Sequence, residues 1–158
     1  MKEIPLTQGK VAQVDDADYD AVMEAGPWSA SKGRTTFYAM HQSISMHRFI
    51  LGLHVRGEWG DHKNHNGLDN QSDNLRSATP TQNNQHRRKR ADALHSQYKG
   101  VTYDCRRLQS GKKWRAQICI GGKRLTWSFD KETDAALAYN IAAWLAYGEF
   151  AVLNQIHW

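Results

Sequence analysis

Residues 57–90, GEWGDHKNHNGLDNQSDNLRSATPTQNNQHRRKR, are so dense in Asp, Asn, His and Gly that they cannot bury much of themselves. Their Asn-Gly and Asp-Asn pairs suit loops or a hairpin. The chain has only 158 residues, enough for one ordinary domain or two small ones. A polar stretch at its middle leaves apolar blocks on either side, and the texture of those blocks differs.

Upstream, IPLTQGKVAQV alternates and is broken at Gly9, and PWSAS-KGR-TTFYAM reads as two strands around a turn at Gly33. DDADYDAVMEAG predicts one or two helical turns ended by Gly26 and Pro27. Met46, Phe49, Ile50 and Leu53 recur at helical spacing and predict a short helix over 45–53. Further on, Ser77 or Thr79 offers an N-cap, with Pro80 in the first turn of a second helix. From Gln97, YKGVTYD, KKWRAQICI and KRLTWSFD read as three strands. ETDAALAYNIAAWLAYG then predicts a helix with an apolar stripe of Ala138, Ile141, Ala142 and Leu145, capped by Gly148. The expected fold class is α+β. A first module occupies 1–90 with its motif core at 57–90, a linker 91–96, and a three-stranded antiparallel sheet plus one helix 97–158.

Charge sharpens this division. The net charge is +5, but residues 1–84 hold 8 basic and 10 acidic side chains, whereas 85–131 hold 13 basic and 3 acidic. Charge concentrated in this way suits a polyanion partner or a solvated surface, and charge alone leaves both open. No apolar run approaches the roughly 20 residues that cross a bilayer, and the N-terminus lacks the apolar core of a secretory signal. A cytoplasmic location is expected. Cys105 and Cys119 form no C-x-x-C pattern and are expected to be small, buried or half-buried thiols in a reducing compartment.

The residues richest in chemistry are Asp61, His62, Asn74 and Asn83. Asp61 and His62 are adjacent, so in extended chain their side chains point to opposite sides. Asn74 lies 12 residues beyond His62, and Asn83 lies 9 further on, in the second expected helix. A strand, a loop, a short strand and a helix would gather all four. A hard divalent cation prefers oxygen donors such as a carboxylate and an amide carbonyl, completed by water and phosphate. Such an ion stabilises charge on phosphate and leaving oxygen, while a histidine takes the proton of the attacking water. The bland alternative makes Asn74 and Asn83 turn and helix-surface residues. Asn70 and Asn84 rival them, and His65 and His86 rival His62. A zinc site of His62, His65 and His86 matches no common spacing.

DH…N…NLR…N resembles the HNH, or ββα-metal, nuclease motif in the His-Asn-Asn variety of phage homing endonucleases. The resemblance implies that Asp61 and Asn83 hold one Mg²⁺ or Mn²⁺, that His62 is the general base, and that Asn74 holds the loop and orients the histidine. The preceding MHRFILG is similar to the segment before the motif in those proteins, with Arg48 either on a phosphate or packed.

YKGV, KW-A-I, Phe129-Asp130, AA-AYN-AA and Gly148…Leu153-Asn154 resemble the DNA-binding domain of plant ethylene-response factors, the APETALA type, over about 97–154. That resemblance implies a sheet in the major groove of double-stranded DNA with the helix behind it. The alternation of KKWRAQICI agrees: Trp114, Ala116, Ile118 and Ile120 share one face, and Lys113, Arg115, Gln117 and Cys119 the other. Arg115 and Gln117 suit guanine and adenine edges. Lys99, Arg106, Arg107, Lys112, Lys123 and Arg124 suit phosphates, and Arg87, Arg88, Lys89 and Arg90 are expected to track the backbone. The chain departs from that family at Thr102 and Asp104, where arginines are usual, and at Leu125, where a DNA-facing tryptophan is usual. The facing of Trp127 stays open, since a bulge in the third strand would reverse it. The whole reads as a metal-dependent, homing-type DNA endonuclease that hydrolyses or nicks a phosphodiester bond; one site per chain favours nicking by a monomer, while a dimer could cut both strands. A non-catalytic DNA-binding regulator with a decayed nuclease domain is the alternative, and an RNA-binding or structural nucleoprotein a third.

Overall fold

The computed structural model describes residues 1–53, 55, 57–89, 95–105 and 113–157. Arg90, Arg106, Arg107, Lys112 and positions 91–94 of the expected linker lie outside them. The chain divides into two compact units, Met1–Asn83 and Asn84–Trp158, so the division falls inside a helix rather than at 90. The fold is α+β, with several small sheets and few helices.

The first unit runs β1 (Lys2–Pro5), β2 (Val11–Val14), α1 (Asp16–Glu24), β3 (Ser29–Lys32), β4 (Phe37–His41), β5 (Ile44–Ser45), α2 (Met46–Ile50), β6 (Trp59–His62), β7 (Asp69–Asn70), β8 (Leu75–Ala78) and α3 (Pro80–Gln85). Its sheets are β1-β2-β7, β3-β4-β5 and the hairpin β6-β8. Ile4, Val14, Val22, Trp28 and Met46 form the core, and the Trp28 indole donates to the Val22 carbonyl at 2.8 Å. Five residues cannot hold α2 helical alone; Met46, fully buried, anchors it to that core. At α3 the Thr79 hydroxyl accepts from the Gln82 N–H at 3.2 Å, and the Gln82 side chain accepts from the Thr79 N–H at 2.8 Å. That reciprocal capping box, with Pro80 as first helical residue, starts the helix where the sequence suggests.

The second unit carries β9 (Val101–Tyr103), β10 (Trp114–Ile120), β11 (Lys123–Phe129) and α4 (Glu132–Tyr147), with sheet order β11-β10-β9. Pairing of β10 with β11 is unbroken from Trp114↔Phe129 to Ile120↔Lys123. There is no bulge, so Trp127 lies opposite Ala116 and Leu125 opposite Ile118, on the side facing α4. The apolar stripe expected on α4 is corrected: Ile141 is 55% and Leu145 80% exposed, whereas Ala135, Ala136, Tyr139 and Ala143 are buried. The helix meets the sheet through its smallest side chains, which allow close approach. A Cβ on Gly100 would overlap the Tyr139 ring, so that glycine makes room for the one large buried side chain of the helix. Asn140 and Asn154 exchange side-chain-to-backbone bonds at 2.9 and 2.8 Å, and the Asn154 amide also bonds both backbone groups of Lys99. The asparagines of AYN and LN therefore fasten the C-terminal segment to α4 and to the start of the sheet. Both cysteines are exposed and free, contrary to the expected burial, because Cys119 lies on the face of β10 away from α4.

Candidate functional site

The β6-β8 hairpin sets Asp61 opposite Arg76 and His62 opposite Leu75. Cross-strand partners share a face: Arg76 Nε donates to Asp61 Oδ2 at 2.8 Å, and Nη2 stands 2.7 Å from the same oxygen as an ion-pair contact. These side chains are only 10% and 8% exposed, a buried ion pair that neither residue's spacing announces. Both Asp61 and His62 are buried, so each face of β6 is covered. Asn83 follows on α3, half-buried, its N–H bonded to the Thr79 carbonyl at 2.9 Å.

His62 Nε2 stands 3.3 Å from Asn70 Oδ1. An amide oxygen is an acceptor only, so His62 donates from Nε2 and keeps its lone pair on Nδ1. Asn70 is fully buried because β7 runs parallel to the buried strand β2, with Asn70 beside Val14. Asn74 does something else: its Oδ1 accepts from the Asn64 N–H at 2.9 Å and its Nδ2 donates to the Asp69 carbonyl at 2.7 Å. It ties the two ends of the loop together, and the amide that reaches the histidine is that of Asn70. The loop is further fixed by Asp15, which accepts from the Ser72 N–H at 2.8 Å and is held below its usual carboxylate range chiefly by that bond.

Two further rings complete the surroundings of His62. His47 packs edge-on against it with centroids 4.6 Å apart, and Tyr38 lies 5.8 Å away. A cavity of about 530 Å³ opens beside them, lined by His47, Arg48, Gly57, Glu58, Trp59 and Gly60. Arg48 donates to the Leu53 and Val55 carbonyls at 3.1 and 3.5 Å, which is the packed rather than the phosphate-bound arrangement.

Burial pushes His47 down to about 3, with the His62 and Arg48 charges adding to the effect. His62 is also lowered, by burial first, against the opposing Asn70 bond and the nearby carboxylates. Unfolded, each titrates near 6.5. Below that pH the unfolded chain takes up protons that the folded unit refuses. Stability is therefore full above about 6.5 and falls as the pH drops below it, toward 3 in the case of His47, by at most about 1.4 kcal/mol per pH unit for each histidine. Thermal melting of the full chain should show Tm falling as pH drops from 7 to 5, with a shallower slope in His47→Phe. Equal slopes in the two proteins would contradict the buried neutral state of His47.

Were Asp61 and Asn83 to hold a cation, they would offer a carboxylate and an amide oxygen, hard donors that fit a Mg²⁺-like ion keeping most of its water. Among the described residues no three His, Cys, Asp or Glu side chains gather to hold a metal.

In the second unit, the face of the sheet away from α4 carries Thr102, Arg115, Gln117, Cys119, Arg124, Thr126 and Ser128. Arg115 lies 3.6 Å from Asp104, so one residue that departs from the plant pattern holds a candidate base reader. Arg87, Arg88, Lys123 and Arg124 are exposed and Lys113 half-buried. Two expected phosphate contacts turn inward instead. Lys89 donates from Nζ to the Tyr98 carbonyl at 2.7 Å, and Lys99 to that of Gln85. Burial lowers Lys99 to about 8. Their long stems let the ammonium groups reach backbone carbonyls of the unit.

The chain is similar to an HNH endonuclease. An uncharacterized HNH endonuclease of Acanthamoeba polyphaga mimivirus is 34% identical over 119 residues, covering 72% of this chain and 58% of that protein. The chain thus spans less than two thirds of the length of that relative. No family model matches the chain, and no solved structure does. No described helix is long and apolar enough to cross a membrane.

Proposed function

We propose that this protein is a metal-dependent DNA endonuclease of the HNH homing type, with His62 as general base. The observation that carries the reading is the His62–Asn70 pair: a buried, neutral imidazole beside a carboxylate, its Nε2–H fixed so that Nδ1 is left to take a proton. Asp61 and Asn83 would hold one Mg²⁺ or Mn²⁺, which supplies charge stabilisation at the phosphate. Asn74 keeps the loop closed, and Asn70 orients the base. The attacking water gives its proton to His62 as its oxygen closes on phosphorus. The similarity to an HNH endonuclease supports this assignment.

The second unit is read as an APETALA-type module that binds double-stranded DNA through the sheet face bearing Arg115 and Gln117, with the protein acting as a monomer in the cytoplasm of a host cell. Among the described residues, Arg87, Arg88, Lys113, Lys123 and Arg124 are the proposed phosphate contacts. Five contacts give a log affinity against log salt slope of roughly −4.5. Fluorescence anisotropy on a short duplex between 50 and 300 mM salt measures it, and a flat response would exclude the role given to the basic segment.

The deciding experiment incubates supercoiled plasmid with the protein and Mg²⁺ or Mn²⁺, with and without EDTA. Metal-dependent conversion to open circles is expected. Binding without nicking favours a second reading, a non-catalytic DNA-binding regulator. One observation speaks for it: the Arg76 guanidinium already sits on the carboxylate that would hold the cation.

A further inference from the structure

His47 lies 15 positions before His62 in sequence, on a different element, and nothing in the Asp-His-Asn spacing involves it. Yet it is one of the few buried polar side chains of the first unit, 8% exposed, and its closest ring neighbour is His62, at 4.6 Å and an interplanar angle of 68°. We propose that His47 is a positioning residue for His62, an edge-on wall that fixes the plane of the base while Asn70 fixes its Nε2. The proposal rests on the reading of His62 as base.

Three features of the fold are arranged around this contact. Ser45, the last residue of β5, places its hydroxyl 3.3 Å from His47 Nε2, so the second ring is held by a bond of its own. Tyr38 on β4 lies 5.9 Å from His47 and 5.8 Å from His62, closing a triangle of rings. Gly60, immediately before the Asp61-His62 pair, supplies the space: a Cβ there would overlap His47 Cδ2 and stand 3.2 Å from its Nε2. Any other residue at 60 would displace the ring that touches the base. A buried imidazole held from three elements, against a strand that gives up its side chain to admit it, is costly as mere filling, since Leu or Phe fills space without a polar atom to satisfy. Its use is geometric. An edge-to-face contact restricts rotation about the last torsion of His62, which the single Asn70 bond does not fix.

The test compares full-length wild type, His47→Leu, His47→Phe, Gly60→Ala and His62→Ala in metal-dependent plasmid nicking, with duplex affinity measured without metal and folding followed by melting. His47→Leu keeps volume and loses the flat ring. Its kcat is expected to fall by about 10-fold or more, as a misplaced group does, with KM and duplex affinity within about 2-fold of wild type. His47→Phe restores a planar ring and is expected to recover part of the loss. Gly60→Ala, which acts on the His47 ring from β6, is expected to lower kcat in the same sense. Wild-type kcat in folded His47→Leu, or a loss confined to stability and affinity, overturns the proposal. If His47→Leu does not fold, Gly60→Ala alone decides: unchanged kcat there overturns it. His62→Ala separates the two levels. Persistent cleavage by that variant removes the parent reading, whereas its inactivity alongside a fully active His47→Leu removes only this one.

Discussion

Replacing His62 with alanine is expected to slow metal-dependent nicking by about 10²–10⁴-fold, the range supplied by a positioned general base. The effect should fall on kcat and kcat/KM alike, since the proton transfer is made only on the way to the transition state. Duplex affinity should stay unchanged, because the phosphate contacts assigned to binding belong to the second unit. Asn70→Ala provides the internal check. It leaves the imidazole in place but removes the acceptor at Nε2, so the ring is free to swap tautomer and turn. A smaller loss than that of His62→Ala is expected, again in kcat. Asn74→Ala should behave differently: its two bonds run to Asn64 and Asp69 rather than to His62, so its first effect is on melting, with activity following as the loop loosens. Measuring kcat and Tm for the three variants under one set of conditions checks the assignment. If Asn70→Ala kept full activity while Asn74→Ala lost it with Tm unchanged, the orienting role would belong to Asn74 after all.

Much of this arrangement was legible in the chain. Local signals were enough for the elements. Thr79-Pro80 with Gln82 starts a helix by chemistry that needs no tertiary partner, and the alternation of β10 gives the correct inner face. The α4 stripe went astray because periodicity ranks positions by hydrophobicity, whereas packing on a sheet at close range selects for small size. Ala135, Ala136 and Ala143 took the buried places and left Ile141 and Leu145 outside. Lys89 and Lys99 depart from expectation for a related reason: a lysine reads as surface charge, but its ammonium also bonds backbone carbonyls within reach of its stem. At the site, Asp61, His62, Asn74 and Asn83 stand out by spacing, whereas Asn70, Arg76 and His47 do not. Their roles depend on register between strands far apart in sequence, β6 with β8 and β2 with β7, and on a glycine whose value is the space it leaves. Asn70 carried one usable signal, as the asparagine nearest in sequence to Asn74 within the loop. Arg76 carried another, being the basic residue of the hairpin strand that must face Asp61.

Replacing Arg76 with methionine is expected to be the most damaging single change to the first unit. The guanidinium holds Asp61 by one hydrogen bond and a close ion-pair contact, with both side chains almost wholly out of water. Removing it leaves the carboxylate in the same low-dielectric place without its cation, a change that costs roughly 3–5 kcal/mol in comparable buried pairs. For a unit of this size each kcal/mol moves Tm by roughly 4–8 °C, so a fall of at least about 12 °C in the transition of the first unit is expected. The double variant Asp61→Asn with Arg76→Met should recover part of it, because the cost lies in the unpaired charge rather than in the lost contact. A double variant no more stable than Arg76→Met would show that packing of the arginine stem, and not charge, is what matters. The same variant decides between the two functional readings. If the Asp61 carboxylate is a metal ligand, Mg²⁺ takes over the compensation that Arg76 gave up, and millimolar Mg²⁺ should raise the Tm of Arg76→Met more than that of wild type, as a ligand bound only by the folded state does. An equal response in both proteins would mean that Asp61 serves only as half of an ion pair, and would leave the first unit as a scaffold beside a DNA-binding module.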